Sequence, residues 1–96
     1  MNELAVSVIQ EYVDKYLFEP QSNWPMYEFN VRSYSRWAAN EIIERIQNDS
    51  KRSPVKIISE YIREVDLYSE KTPTNQSQLI FAVAKETAID IILLFL

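Results

Sequence analysis

The sequence contains no glycine, no cysteine and no histidine. Without cysteine or histidine there is no disulfide framework, no thiol nucleophile, no imidazole base and none of the usual zinc ligands. Without glycine there is no phosphate-cradling loop, dinucleotide fingerprint, nucleophile elbow or standard calcium loop. Carboxylates are the only catalytic or metal-binding resource left, and we expect no catalytic activity, no cofactor and no metal. A long uncharged apolar run is missing too. The nearest approach, Leu79 to Leu96, is interrupted by Lys85, Glu86 and Asp90, which argues against a membrane span. Met1-Asn2-Glu3 shows no basic stretch leading an apolar one, so the expectation is a soluble cytoplasmic chain.

What is present is an ordinary globular mixture. The 96 residues are 47% hydrophobic and 25% charged, which fits a single domain over residues 1–96 with one modest core. Six Tyr, four Phe and two Trp add large rings that each bury much area. Ten basic residues against fourteen acidic give a net charge of −4, so a nucleic-acid partner is not expected. The charge is unevenly spread. Residues 1–31 set five acids against Lys15 alone, whereas residues 32–56 hold Arg32, Arg36, Arg45, Lys51, Arg52 and Lys56 against three acids.

The apolar spacing is helical throughout, with no sustained strand-type alternation. A first helix is predicted from about Asn2 to Phe18, with a stripe of Ala5, Ile9, Tyr12 and Tyr16, stopped by Pro20. Residues 20–32 read as an aromatic-rich connection, with Trp24, Tyr27 and Phe29 lying against the bundle as a lid. A second helix is predicted from near Ser33, as N-cap, to near Asn48, which can take the left-handed conformation that ends helices. Its core stripe is Ala39, Ile42, Ile43 and Ile46. Ser53 and Pro54 mark the start of a third, with Ile58, Tyr61, Ile62, Val65 and Tyr68 inward. A fourth follows the break at Thr72-Pro73-Thr74-Asn75, with a core stripe of Ile80, Ala84, Ala88, Ile91 and Phe95. The fold predicted is all-α, a compact antiparallel four-helix bundle with an aromatic-rich loop between helices 1 and 2.

Four features invite a functional reading. Carboxylates at one-turn spacing occur at Glu11/Asp14, Glu41/Glu44, Glu60/Glu64 and Glu86/Asp90. Helical magnesium-dependent nucleotide pyrophosphohydrolases use such pairs, with an E-x-x-E before an E-x-x-D. Here the order is reversed and Glu44 points away from its stripe, so these acids read as solvated faces. The cations Arg45, Lys51, Arg52 and Lys56 surround a short break that a helix-turn-helix could use. The outward face of the third helix mixes Lys56 and Arg63 with Glu60 and Asp66, which disfavours a phosphate backbone.

Tyr34 and Trp37 stand off the second helix's stripe, where they either pack under the lid or anchor a partner, with Arg36 beside them. Last, the fourth helix has a second apolar line, Ala82, Ile89, Leu93 and Leu96, nearly opposite its core stripe. Contiguous apolar patches on soluble chains usually mark contacts.

Ser33-Tyr34-Ser35-Arg36-Trp37-Ala38, Tyr61-Ile62-Arg63-Glu64 and Ala84-Lys85-Glu86-Thr87-Ala88-Ile89-Asp90 resemble stretches of short all-helical proteins of Gram-positive bacteria. The likeness covers about residues 33–95. It implies a helical fold and a bacterial source, and carries no activity, cofactor or site residue. In size, acidity and helix count the chain is also similar to small helical immunity proteins, which neutralise basic toxin domains.

The expectation is therefore a small non-catalytic interaction module. It homodimerises through Ala82, Ile89, Leu93 and Leu96, with Tyr34 and Trp37 as a second contact, or binds another protein. An acidic decoy for a basic partner is the alternative, with the magnesium enzyme and the DNA binder behind it.

Overall fold

Local punctuation sets where the helices begin in the computed structural model, which describes residues 2–71 and 75–96. Among the described residues there are four helices and no strand: α1 (Asn2–Tyr16), α2 (Met26–Gln47), α3 (Pro54–Lys71) and α4 (Asn75–Ile92). A 3-10 turn, Leu93–Phe95, continues α4. Of the expected break, Thr72-Pro73-Thr74 lies outside the described residues, and Asn75 is the first residue of α4.

The start of α3 follows the Ser-Pro signal. The Ser53 hydroxyl accepts the Lys56 N–H at 3.2 Å, and Pro54 occupies the first helical position, where a missing N–H costs nothing.

The start of α2 differs from the sequence reading. It begins at Met26, seven residues before Ser33, so Tyr27 and Phe29 belong to the helix and not to the loop. Pro25, at φ −54° and ψ 147°, supplies the extended residue ahead of the first turn, and its carbonyl accepts the Phe29 N–H at 3.0 Å. Ser33 is an interior residue whose hydroxyl donates back to the Phe29 carbonyl at 2.9 Å, the local bond a mid-helix serine makes. Two arginines then hold the connection to α1 in place. Arg36 donates to the Leu17 carbonyl at 2.6 Å and Arg32 to the Phe18 carbonyl at 2.8 Å. The Arg32 guanidinium also lies 4.3 Å from the Phe18 ring centre and 5.2 Å from that of Trp24. Trp24 meets Phe18 edge-on, so these two rings and Arg32 close the segment, while Tyr27 stands exposed.

Asn48 ends α2 without the expected left-handed turn. Its φ is −90° and its ψ −2°, and no described residue has a positive φ. The end is closed by backbone bonds instead, Asn48 N–H to the Glu44 carbonyl at 3.0 Å and Asp49 N–H to the Ile46 carbonyl at 3.4 Å. Asn2 adds a tertiary tie, donating through Nδ2 to the carbonyls of Ile46 at 3.1 Å and Asp49 at 2.7 Å.

One apolar cluster draws on all four helices. Ala5, Ile9 and Val13 come from α1, Ala38, Ala39, Ile42, Ile43 and Ile46 from α2, Ile57, Ile58, Tyr61 and Val65 from α3, and Ala84, Ala88 and Ile91 from α4. Tyr16 and Tyr68, expected inside, are exposed, and Ile57 takes a core place instead. Along α4 the buried stripe is Val83, Ala84, Thr87, Ala88 and Ile91, with Ile80 and Phe95 only half-buried. Small residues explain the inward choice. Ser35, Ala38 and Ala39 of α2 are buried, as are Ala84, Thr87 and Ala88 of α4, and short side chains let two helix backbones approach closely. Within that seam the Thr87 hydroxyl donates to Ser35 Oγ at 3.0 Å, which satisfies two buried polar groups against each other.

Candidate interaction surface

Placing Val83, Ala84, Thr87, Ala88 and Ile91 inward fixes what α4 shows outward. At about 100° per residue, Ala82 and Ile89 fall on the side opposite that stripe, and Leu93 and Leu96 follow them in the 3-10 turn beyond α4 and at its end. All four are exposed, with Ile89 at 38%, Leu93 at 59% and Leu96 at 80% of their full accessibility. The line predicted from the sequence is thus exposed at all four positions, with the charged Glu86 set between Ala82 and Ile89. Its two flanks differ in charge. On one side Lys85 bridges to Asp66 of α3 at 2.8 Å. On the other stands Asp90, close enough to α1 to raise the ionisation of Tyr12, after burial, the larger cause.

The second predicted contact divides. Tyr34 is half-buried and its hydroxyl accepts a hydrogen bond from Gln76 Nε2 at 3.3 Å. Trp37 is 45% exposed and lines a depression of about 320 Å3 whose walls come from α2, α3 and α4, with none of residues 24–29 among them. The lid expected over Trp37 is not formed: Trp24 packs on Phe18 in the α1–α2 connection, and Tyr27 is exposed. Tyr61, Tyr68 and Phe81 share the depression with Trp37, and the Tyr68 and Phe81 rings stack at 6.0 Å. Arg36, read as an adjacent anchor, is committed to the Leu17 carbonyl and lies 3.9 Å from Glu19.

The carboxylate pairs are distributed between two surroundings. Glu11, Asp14, Glu86 and Asp90 are exposed. Glu41 and Glu44 of α2 and Glu60 and Glu64 of α3 line one polar depression together with Asp49, and Arg45 and Arg52 stand among them. Arg45 binds Glu64 at 2.5 Å, and Arg52 holds Asp49 at 2.6 Å and also pairs with Glu60. Two of the four cations around the α2–α3 break are therefore spent on carboxylates. Among the described residues no three carboxylates are placed to hold a metal ion. Nor is any described helix long and apolar enough to cross a membrane.

No protein-family model, no curated protein and no solved structure matches the chain. The site must therefore be read from its own geometry. Sequence periodicity was sufficient to find the strip on α4, because one helix carries it. It was blind to the Trp37 depression, whose walls come from three helices and whose Tyr61 reads simply as a core residue.

Proposed function

We propose that this chain is a small non-catalytic interaction module that pairs with a second copy of itself through the outward face of α4. The observation carrying this reading is the exposed strip of Ile89, Leu93 and Leu96 in line with Ala82. Exposed to this degree, the three larger side chains leave on the order of 300 Å2 of apolar surface wet on each copy. Covering both strips gives a gross gain of about 15 kcal/mol. Association costs about 4–15 kcal/mol in lost freedom, so a weak, concentration-dependent dimer is the expected outcome.

A second copy suits the strip in its spacing and in its flanks. Ala82, Glu86, Ile89, Leu93 and Leu96 recur at alternating steps of four and three, the seam of a two-stranded coil. Lys85 then precedes one seam position and Asp90 follows another. Parallel pairing sets Lys85 of one copy against Asp90 of the next, whereas antiparallel pairing sets like charge against like. Glu86 interrupts the seam, which weakens it and disfavours slipped registers. Within the protomer the antiparallel order of the bundle belongs to the same reading. Its support is the Asn2 side chain at the end of α2 and Arg36 of α2 at Leu17, beyond the end of α1.

The test is mass by light scattering of the wild type and Leu93→Asp at matched high concentration. The wild type should approach twice the single-chain mass. Leu93→Asp should stay single with unchanged helix content, because Leu93 lies outside the core. Wild-type protein that remains single-copy at millimolar concentration overturns the reading.

A second reading, an acidic protein that receives a basic partner, is favoured by the α2–α3 face. There Glu41, Glu44, Asp49, Glu60 and Glu64 outnumber Arg45 and Arg52. A bacterial immunity-type role would be of this kind.

A further inference from the structure

The Trp37 depression has aromatic walls, a net negative end and a buried polar atom with nothing to bond to. Trp37 lines it together with the Tyr68 and Phe81 rings, which stack on each other at 6.0 Å. Glu41 and Glu64 line it with one cation, Arg45, between them in charge. Tyr61 lines it, 2% exposed, and its hydroxyl has no hydrogen-bond partner among the described residues. Its ionisation is raised first by burial, then by Glu41, is opposed by Arg45 and is raised least by Glu64, and those three charged groups all line the depression.

An orphaned buried hydroxyl costs stability unless something completes it. The aromatic faces attract cations, and the two carboxylates outweigh the single guanidinium. The protein already shows the preferred guest in miniature: the Arg45 guanidinium lies 5.0 Å from the Tyr61 ring centre. A planar guanidinium both stacks on rings and donates several N–H bonds, which a compact ammonium does less well.

We propose that the Trp37 depression receives an arginine side chain from a basic segment of a partner protein. The guanidinium stacks against Trp37 and the Tyr68–Phe81 pair, donates one N–H to the Tyr61 hydroxyl and places its charge against Glu41. This rests on the second reading above, a basic partner, and names where its contact is made. It is independent of the pairing through α4, which uses another face.

The probe is a hexa-arginine peptide titrated into the 15N-labelled chain, with hexa-glutamate as control, following the Trp37 indole N–H. A saturable shift of that signal is expected with the arginine peptide alone. Trp37→Ala, at an exposed position, should weaken binding about tenfold. Tyr61→Phe should also weaken it several-fold while leaving the protein at least as stable, a combination that a purely structural tyrosine does not give. Binding of the peptide with an unmoved Trp37 signal and no loss in Trp37→Ala overturns this site but leaves the basic-partner reading standing. Failure of the peptide to bind at any concentration reached overturns both.

Discussion

Tyr61 pairs a buried ring with an unpartnered hydroxyl, and its ionisation is pushed up to about 12. Burial is the main cause. Glu41 adds to it, Arg45 opposes, and Glu64 contributes least. A folded-state value above the ordinary 10.0 means the neutral phenol is favoured by folding. Its stabilising contribution is complete below pH 10 and is lost as pH rises toward 12. Ultraviolet titration of Tyr61→Phe against wild type should therefore remove the highest-pH tyrosine transition, and a missing transition near the ordinary value would contradict this account.

Asp49 behaves in the opposite sense. The Arg52 side chain, then the Lys51 and Arg52 backbone N–H groups, hold its carboxyl below the ordinary 3.8. The turn it organises is stabilised above pH 3.8 and loses that support as pH falls through the depressed value. A carbon-detected titration should find Asp49 among the last carboxylates to protonate. Titration at or above the ordinary value would show that the turn is not held this way.

The buried Thr87–Ser35 pair gives a sharper test. Thr87→Val strands the Ser35 hydroxyl and should cost about 1–2 kcal/mol of unfolding free energy. Adding Ser35→Ala should recover much of that loss in denaturant titrations, since two absent partners need no bond. Additive losses would place the cost in packing instead.

Helices were legible where one local signal stood alone. The α3 start is such a case, and Ser53→Ala should cost about 1 kcal/mol in chemical unfolding, whereas no change would mean the cap bond is idle. The α2 start was not legible, because Ser33 reads as a local cap although the helix begins after Pro25. Tertiary bonds from Arg32 and Arg36 to the preceding segment accompany the longer helix, and no sequence window contains both ends of them. The Asn2 contacts at the end of α2 span 44 and 47 residues and were equally hidden. In α4 the two apolar lines were visible from spacing alone. Which residues joined the inner one was misread at Val83 and Thr87, because a threonine counts as polar until a partner such as Ser35 satisfies it. The outer line, Ala82, Ile89, Leu93 and Leu96, is exposed at all four positions.

At the scale of the molecule, α4 both closes the core and faces outward with apolar residues. Its inner stripe meets α2 through small side chains, and among the described residues nothing hides Leu93 or Leu96, which are 59% and 80% exposed. Ion pairs on the surface, such as Lys85–Asp66 and Arg45–Glu64, are half-exposed and contribute little to stability. The apolar strip is therefore the larger unspent term, and concentration is the variable that should reveal it. Sedimentation equilibrium of the wild-type chain, from low micromolar to millimolar, measures this most directly. The account expects the average mass to climb from one copy toward two and to fall back on dilution. A mass fixed at one copy across the whole range would contradict it.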